Sequence, residues 1–178
     1  MTARRVAGVV LAGGRSQRFG RDKAEEVYDG RKLIEWSIAA LEPFVDTILI
    51  AGRNYPPYPW APDRPDTGMG PLGGIAGAMA AAQAADCTHL LSLPCDTPHV
   101  PADQLARLSE AGNCTYLTAC PVIGLWPVEQ AEPLARHLAA GGRRSVRAWA
   151  DAQGATAIDG EEIANINSIE DFERLTRR

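Results

Sequence analysis

Several features are missing from this chain, and each absence removes a class of function. No stretch approaches the roughly 18 consecutive apolar residues of a membrane span. After Arg4 and Arg5, only the short apolar run 6–12 precedes a pair of glycines. That is too short for a secretory signal with its cleavage site, so the expected compartment is the cytoplasm. An excess of positive charge is lacking too. The formal net charge is −4, so no overall field recruits nucleic acid or an acidic membrane, and neither is expected as a partner. The four cysteines, Cys87, Cys95, Cys114 and Cys120, contain no CxxC pair and fit neither a zinc knuckle nor a disulfide scaffold, which leaves reduced thiols as the reading. His89, His99 and His137 show no metal-ligand spacing.

What remains is the composition of an ordinary folded protein. With 178 residues, 46% hydrophobic and 22% charged, one globular domain spanning 1–178 is expected. Apolar runs at 6–12, 45–51, 88–93 and 114–119 predict buried strands, with 122–128 as a weaker fifth. The first three lack clean alternation, as strands covered on both faces of a parallel sheet do. Helical patterns fill the intervals: 32–44, 71–85 opening on Pro71, 101–112 between Pro101 and Gly112, and 129–142 closing on two glycines. Two more follow, 145–154 with Ser145 as N-cap and 168–178 with Ser168 as N-cap and Asp171 three residues on. Strand, loop and helix repeating with short connections predict an α/β fold. It is a three-layer α/β/α sandwich whose Rossmann-like, mostly parallel sheet has helices on both faces. Residues 55–65 hold five prolines, which excludes a central strand and reads as a surface loop.

Ligands of open α/β sheets gather beyond the carboxyl ends of the strands. The segments "GGRSQRFGRDK", "GRN" and "PCDTP", each following a predicted strand, should therefore meet in one cleft. In the first, Gly13 and Gly14 lack the Cβ atoms that would block an anion from the backbone amides. Arg15, Arg18 and Lys23 can neutralise a polyphosphate. The Walker and dinucleotide patterns are both absent here. A Gly-Gly pair alone is equally compatible with a plain turn whose arginines face solvent. Asp96, between Pro94 and Pro98, taken alone reads as an Asx-turn. Set opposite a phosphate loop, it reads as a ligand for Mg²⁺, which takes one or two carboxylates and fills its remaining positions with phosphate oxygens and water. Asp66 precedes Gly68, Gly70, Gly73 and Gly74, where backbone can approach a base or ribose. A lead-in to a helix that needs small residues for packing is the alternative there.

The run "LAGGRSQRFGRDKA" resembles the nucleotidyltransferase signature, and with "GPLGGI", "LPCDTP" and "NINSIEDF" in order it resembles the MobA-type molybdenum cofactor guanylyltransferase family. The resemblance implies Mg²⁺-dependent transfer of GMP from GTP to the terminal phosphate of molybdopterin, with release of pyrophosphate. It implies GTP and molybdopterin as substrates, and molybdoenzymes or other cofactor-biosynthesis proteins as candidate partners. The resemblance implies that Leu11, Ala12, Gly13, Lys23, Asp66 and Asp96 serve the nucleotide and its metal, and the loop chemistry adds Gly14, Arg15 and Gly70 as candidate nucleotide-binding residues. Lys23, Asp96 and Arg18 are the candidate catalytic residues, and Asp96 the metal ligand. Asn165 and Asn167 match the family's paired asparagines near the active site, or serve as turn residues. Arg143 and Arg144, with Arg147, either take the acceptor's phosphate or are solvated helix-end charges.

Two departures from the family pattern stand out. Glu25 and Glu26 follow Lys23, adding negative charge near a phosphate site or facing solvent. The 114–121 segment is short and has Cys120 where the family pattern leads one to expect histidine. Related families transfer CMP or other nucleotides to different phosphorylated acceptors. Those reactions, and a non-catalytic nucleotide-binding protein, are the alternatives.

Overall fold

The computed structural model describes residues 4–13, 22–166, 170, 171 and 173. In chain order the elements are β1 (Val6–Leu11), β2 (Val27–Tyr28), β3 (Arg31–Lys32), α1 (Leu33–Leu41), β4 (Thr47–Ala51) and β5 (Trp60–Ala61). Then come α2 (Pro71–Ala84), β6 (His89–Pro94), α3 (Ala102–Glu110), β7 (Thr115–Leu117), β8 (Cys120–Pro127), α4 (Ala131–Ala139), α5 (Val146–Ala152) and β9 (Thr156–Ile158). The main sheet runs β5-β4-β1-β6-β8-β7-β9. Its pairs are parallel except where β8 meets β6 and β7, so the expected mostly parallel sheet is present with one reversed strand.

β1 lies between β4 and β6 in the middle of this sheet, and its side chains divide between the two faces. Ala7 and Val9 point into one core, with Leu72, Ile75 and Met79 of α2, Leu134 and Leu138 of α4, and Trp149 of α5. Val6 and Val10 point into the other, with Ile34, Ile38 and Leu41 of α1 and Leu105 and Leu108 of α3. Apolar residues at both parities give the unalternating run, because both faces are covered. The helix starts and stops have local causes. At α1 the Glu35 carboxylate accepts the Lys32 amide at 3.0 Å, and Pro43 just beyond the helix falls in a single 3-10 turn. Ser145 caps α5 as expected, its Oγ accepting from the Ala148 amide at 3.2 Å. α3 stops at Glu110, before the expected Gly112, because Ala111 has already turned extended.

Three expectations need correction. The proline-rich segment is not only a surface loop: Trp60 and Ala61 form β5 beside β4 at the sheet edge. An edge strand tolerates the flanking prolines because one side of it has no ladder to serve. The weak candidate at 122–128 is the longest strand of the sheet, β8, and begins at Cys120. The β2–β3 hairpin and β9 lie in segments with no expected strand. α2 is small-residue-rich for a specific reason. A Cβ on Gly77 would stand 1.9 Å from the Pro62 carbonyl oxygen, so the chain leaving β5 crosses directly over the helix. The helix expected at 168–178 lies mostly outside the described residues.

Between β6 and β8 a buried indole and hydroxyl are paired. The Trp126 indole donates to Ser92 Oγ at 2.7 Å, and that hydroxyl donates to the Val122 carbonyl at 2.6 Å. The pair joins β6 to β8 where the strand direction reverses.

Candidate functional site

The carboxyl ends of β1, β4 and β6 are bound into one rim. The Ala12 amide donates to the Ala51 carbonyl at 2.9 Å, and the Cys95 amide to the Leu11 carbonyl at 3.1 Å. Gly13 and Gly52 meet there backbone to backbone. Gly52 has φ +86°, and a Cβ on it would lie 2.1 Å from Gly13 Cα. Leu11 and Ala12 are half-buried and buried in the rim, and Gly13 is exposed above it.

The chain re-enters the described region at Asp22, which caps a 3-10 turn, Lys23–Glu25, by accepting the Ala24 amide. From that turn Lys23 reaches across the rim, its Nζ 2.9 Å from Asp96 Oδ2. The two side chains are 12% and 25% exposed, enough shielding for the pair to be felt and enough access for a ligand to compete for it. Asp96 sits on a stiff turn. Thr97 Oγ1 and Ser37 Oγ both donate to the Pro94 carbonyl, at 3.1 and 3.0 Å. The Asp96 carbonyl accepts the Ile166 amide at 2.9 Å, which brings Asn165 to the same corner. Asn165 Oδ1 is buried with no hydrogen-bond partner, while its side chain hydrogen-bonds the Cys120 thiol. The adjoining Cys95 thiol is pushed up to about 12, chiefly by burial, so it is no nucleophile at neutral pH.

Glu25 neither faces solvent alone nor points at the rim. It pairs with Lys32 at 2.6 Å and lies 3.6 Å from Arg53. Arg53, in the "GRN" segment assigned to the cleft without a role, also grips Asp22 through both carboxylate oxygens, at 2.6 and 2.7 Å. This holds the Asp22 carboxyl below its ordinary range. Neither Asp22 nor Arg53 was among the expected site residues.

On the far side of β4, Asp66 is exposed on the segment before α2, and Gly70 is exposed at that helix's N-terminus. The carboxylate turned inward there is Asp63, half-buried. Burial raises its pKa, and a hydrogen bond from the Gly68 amide opposes the rise. Arg144 Nη1 donates to the Gly68 carbonyl at 3.2 Å, which places it beside the same segment. Arg143 offers its carbonyl to His137, and Arg147 donates to the Thr118 carbonyl at 3.1 Å. The structure thus gathers Leu11, Ala12, Gly13, Lys23, Asp96 and Asn165 at the rim. Asp66 and Gly70 belong to the 63–70 segment, Arg144 lies against it, and Arg143 is held through its carbonyl by His137. Gly14, Arg15, Arg18 and Asn167 lie outside the described residues.

Among the described residues no group of three or more His, Cys, Asp or Glu side chains forms a metal cage, and no helix is long and apolar enough to cross a membrane. The four cysteines are free. A groove of about 390 Å³ opens between α1 and residues 55–58, but none of the expected site residues lines it.

The chain is similar to known proteins along nearly its whole length. Residues 8–165 match the family described as the MobA-like NTP transferase domain. A Cereibacter sphaeroides protein named molybdenum cofactor guanylyltransferase is 37% identical over 96% of this chain and 95% of its own. The solved structure of molybdopterin-guanine dinucleotide biosynthesis protein A from Archaeoglobus fulgidus superposes with a TM-score of 0.76 at 22% identity, covering 96% of this chain and 97% of that one. A Mycobacterium tuberculosis protein solved in complex with manganese superposes with a TM-score of 0.68 at 16% identity, over 97% and 98% of the two chains.

Proposed function

Since this chain belongs to the MobA-like NTP transferase family, we propose that it transfers GMP from GTP to the terminal phosphate of molybdopterin, releasing pyrophosphate. The observation that carries the reading is the meeting of Lys23 and Asp96 at 2.9 Å above the glycine contact at the ends of β1 and β4. A cation and an anion are held there on separate segments, Lys23 on the 3-10 turn and Asp96 just after β6, beside the exposed Gly13 backbone. That is what a triphosphate and its counter-ion need.

In the reaction an acceptor phosphate oxygen attacks the α-phosphorus of GTP, and the bond to the pyrophosphate oxygen breaks. Two electron pairs move and no covalent intermediate on the protein is required. The protein's part is positioning and charge neutralisation. The Gly13 backbone lets the phosphates approach the strand tip. The Lys23 ammonium exchanges its pairing with Asp96 for phosphate oxygens and opposes the charge that builds there. Residues 63–70, with the Gly68 amide already ordered by Asp63, form the wall on which a base is read. Arg144 stands behind that wall, toward the acceptor.

Among the described residues Asp96 is a partly exposed carboxylate outside any cluster of three metal-ligating side chains, which fits magnesium held jointly with substrate oxygens better than a resident cage. Asp96 is the residue that would hold it, and when bound the ion supplies neutralisation of the leaving pyrophosphate. The four free thiols support a cytoplasmic setting.

The second reading keeps the fold and changes the acceptor. One observation favours it: β7 and β8 join at the rim through only Thr118 and Ala119, where the family pattern is longer. Thermal shift with GTP, CTP, ATP and UTP in the presence of Mg²⁺, followed by pyrophosphate release with molybdopterin supplied, tests both. GTP-selective stabilisation with acceptor-dependent release is expected. CTP selectivity, or nucleotide binding without release, overturns the guanylyl reading.

A further inference from the structure

We propose that Arg53 is a positioning residue that sets where Lys23 stands, and so acts on catalysis without touching the nucleotide. The inference rests on the reading of Lys23 above. Each nitrogen of the Arg53 guanidinium is already engaged. Nε donates to the Ala12 carbonyl at 3.0 Å, Nη1 to Asp22 Oδ2 at 2.7 Å, and Nη2 to Asp22 Oδ1 at 2.6 Å. The side chain is 23% exposed. A fork-to-fork pair fixes the carboxylate in plane as well as in distance.

Asp22 is in turn the cap of the 3-10 turn that carries Lys23, and Glu25 closes that turn within 3.6 Å of the same guanidinium. Lys23 is therefore flanked by two acids that Arg53 holds. Arg53 is tied to the end of β1 twice, since it follows Gly52, whose backbone rests on Gly13, and its Nε donates to the Ala12 carbonyl. A continuous chain of contacts runs from the end of β4 through Arg53, Asp22 and Lys23 to Asp96 at the end of β6. Lys23 is long and unbranched, with rotamer freedom to lose when it is ordered. Holding its base in place leaves only the side chain to order when substrate arrives. Lysine at position 53 would keep the charge and lose the fork.

Two experiments on the full chain test this. In the first, acceptor-dependent pyrophosphate release is measured for the wild type, Arg53→Lys, Lys23→Ala and the double variant. The Arg53→Lys change should lower kcat about tenfold or more, by analogy with other displaced positioning groups. The KM for GTP should move less than about threefold, and the double variant should be no more than about twofold worse than Lys23→Ala alone. A loss confined to KM, a full additive loss in the double variant, or an unchanged kcat would overturn the inference.

The second needs no turnover, so it separates failure of this inference from failure of the functional reading. The chain has two lysines, Lys23 and Lys32, whose side chains are 12% and 39% exposed. Reductive methylation followed by mass spectrometry should find Lys23 the slower to react. In Arg53→Gln, with melting temperature checked, Lys23 should react several-fold faster. Lys23 protection that survives the substitution sinks the proposal even if the enzyme is active.

Discussion

Lys23 and Asp96, 73 residues apart in the chain, meet at 2.9 Å where two parallel strands, β1 and β6, end side by side and the 3-10 turn carrying Lys23 reaches the turn after β6. The pair is shielded on the protein side and open on the other. A half-shielded ion pair at strand ends gives each partner something to exchange when a ligand enters. Substituting Lys23→Ala or Asp96→Asn should therefore lower GMP transfer about 10²-fold or more, the scale of losing one placed electrostatic contact. Pyrophosphate release under saturating GTP measures it. Melting temperature should fall only slightly, since the pair is partly exposed.

The contact between Gly52 and Gly13 predicts a different failure. Gly52→Ala places a Cβ against Gly13 Cα and forces a side chain into a left-handed backbone. The backbone conformation alone costs about 1–3 kcal/mol, and the collision displaces the rim as well. Both a lower melting temperature and a lost GTP-induced thermal shift are expected, whereas Gly30→Ala should cost stability without affecting nucleotide binding.

Asp63 and Asp22 give opposite pH dependences. Asp63 has its folded pKa raised by burial, so the folded state binds more protons across the interval above the carboxyl's ordinary value, and its contribution to stability falls as pH rises through it. Asp63→Asn should gain stability relative to wild type as pH rises above the carboxyl's ordinary value. Asp22 has its folded pKa lowered by Arg53, so its contribution is present at neutral pH and is lost as pH falls through that lowered value. Because Asp22 is half exposed, the acid-side slope should be shallow. Denaturant unfolding of each variant across that range checks both signs.

The thiols should be quiet. Burial pushes Cys95 to about 12 and Cys114 to about 11. A colorimetric thiol reagent at pH 8 should label the native protein slowly and all four cysteines once guanidinium has unfolded it. Rapid labelling of Cys95 in the native state would contradict its placement under the rim.

Much of this fold could be read from the chain, because buried parallel strands and the helices between them leave unmistakable apolar runs. The expected helix at 71–85 and the observed Pro71–Ala84 differ by one residue. β5 escaped because a two-residue strand has no period, and its prolines argue against pairing unless the strand is known to sit at an edge. The direction of β8 escaped because alternation does not record whether a strand runs up or down. The β2–β3 hairpin had a usable signal, Asp29-Gly30, with both residues at positive φ as its tight turn demands.

That the segments carrying Lys23 and Asp96 meet was legible, because both follow strands of one open sheet. Asp63 was not distinguished from Asp66, three residues on, because which carboxylate turns inward depends on where the Gly68 amide points. Arg53 was hidden for a similar reason. Its partners are a carbonyl and a side chain that come within reach only when two strand tips touch.

The reversal of β8 has a consequence for how acceptor preference can change in proteins of this shape. Because β8 runs backwards, its amino end, beginning at Cys120, lies at the rim beside the carboxyl end of β6, and the two-residue turn from β7 lies there too. Extra residues inserted between Thr118 and Ala119 would build the cleft wall upward while every ladder below stayed in register. Chain entropy opposes such growth by only about 0.6 kcal/mol per doubling of loop length. A turn this short is a bare doorstep, and new substrate range can be grown from it without rebuilding the house.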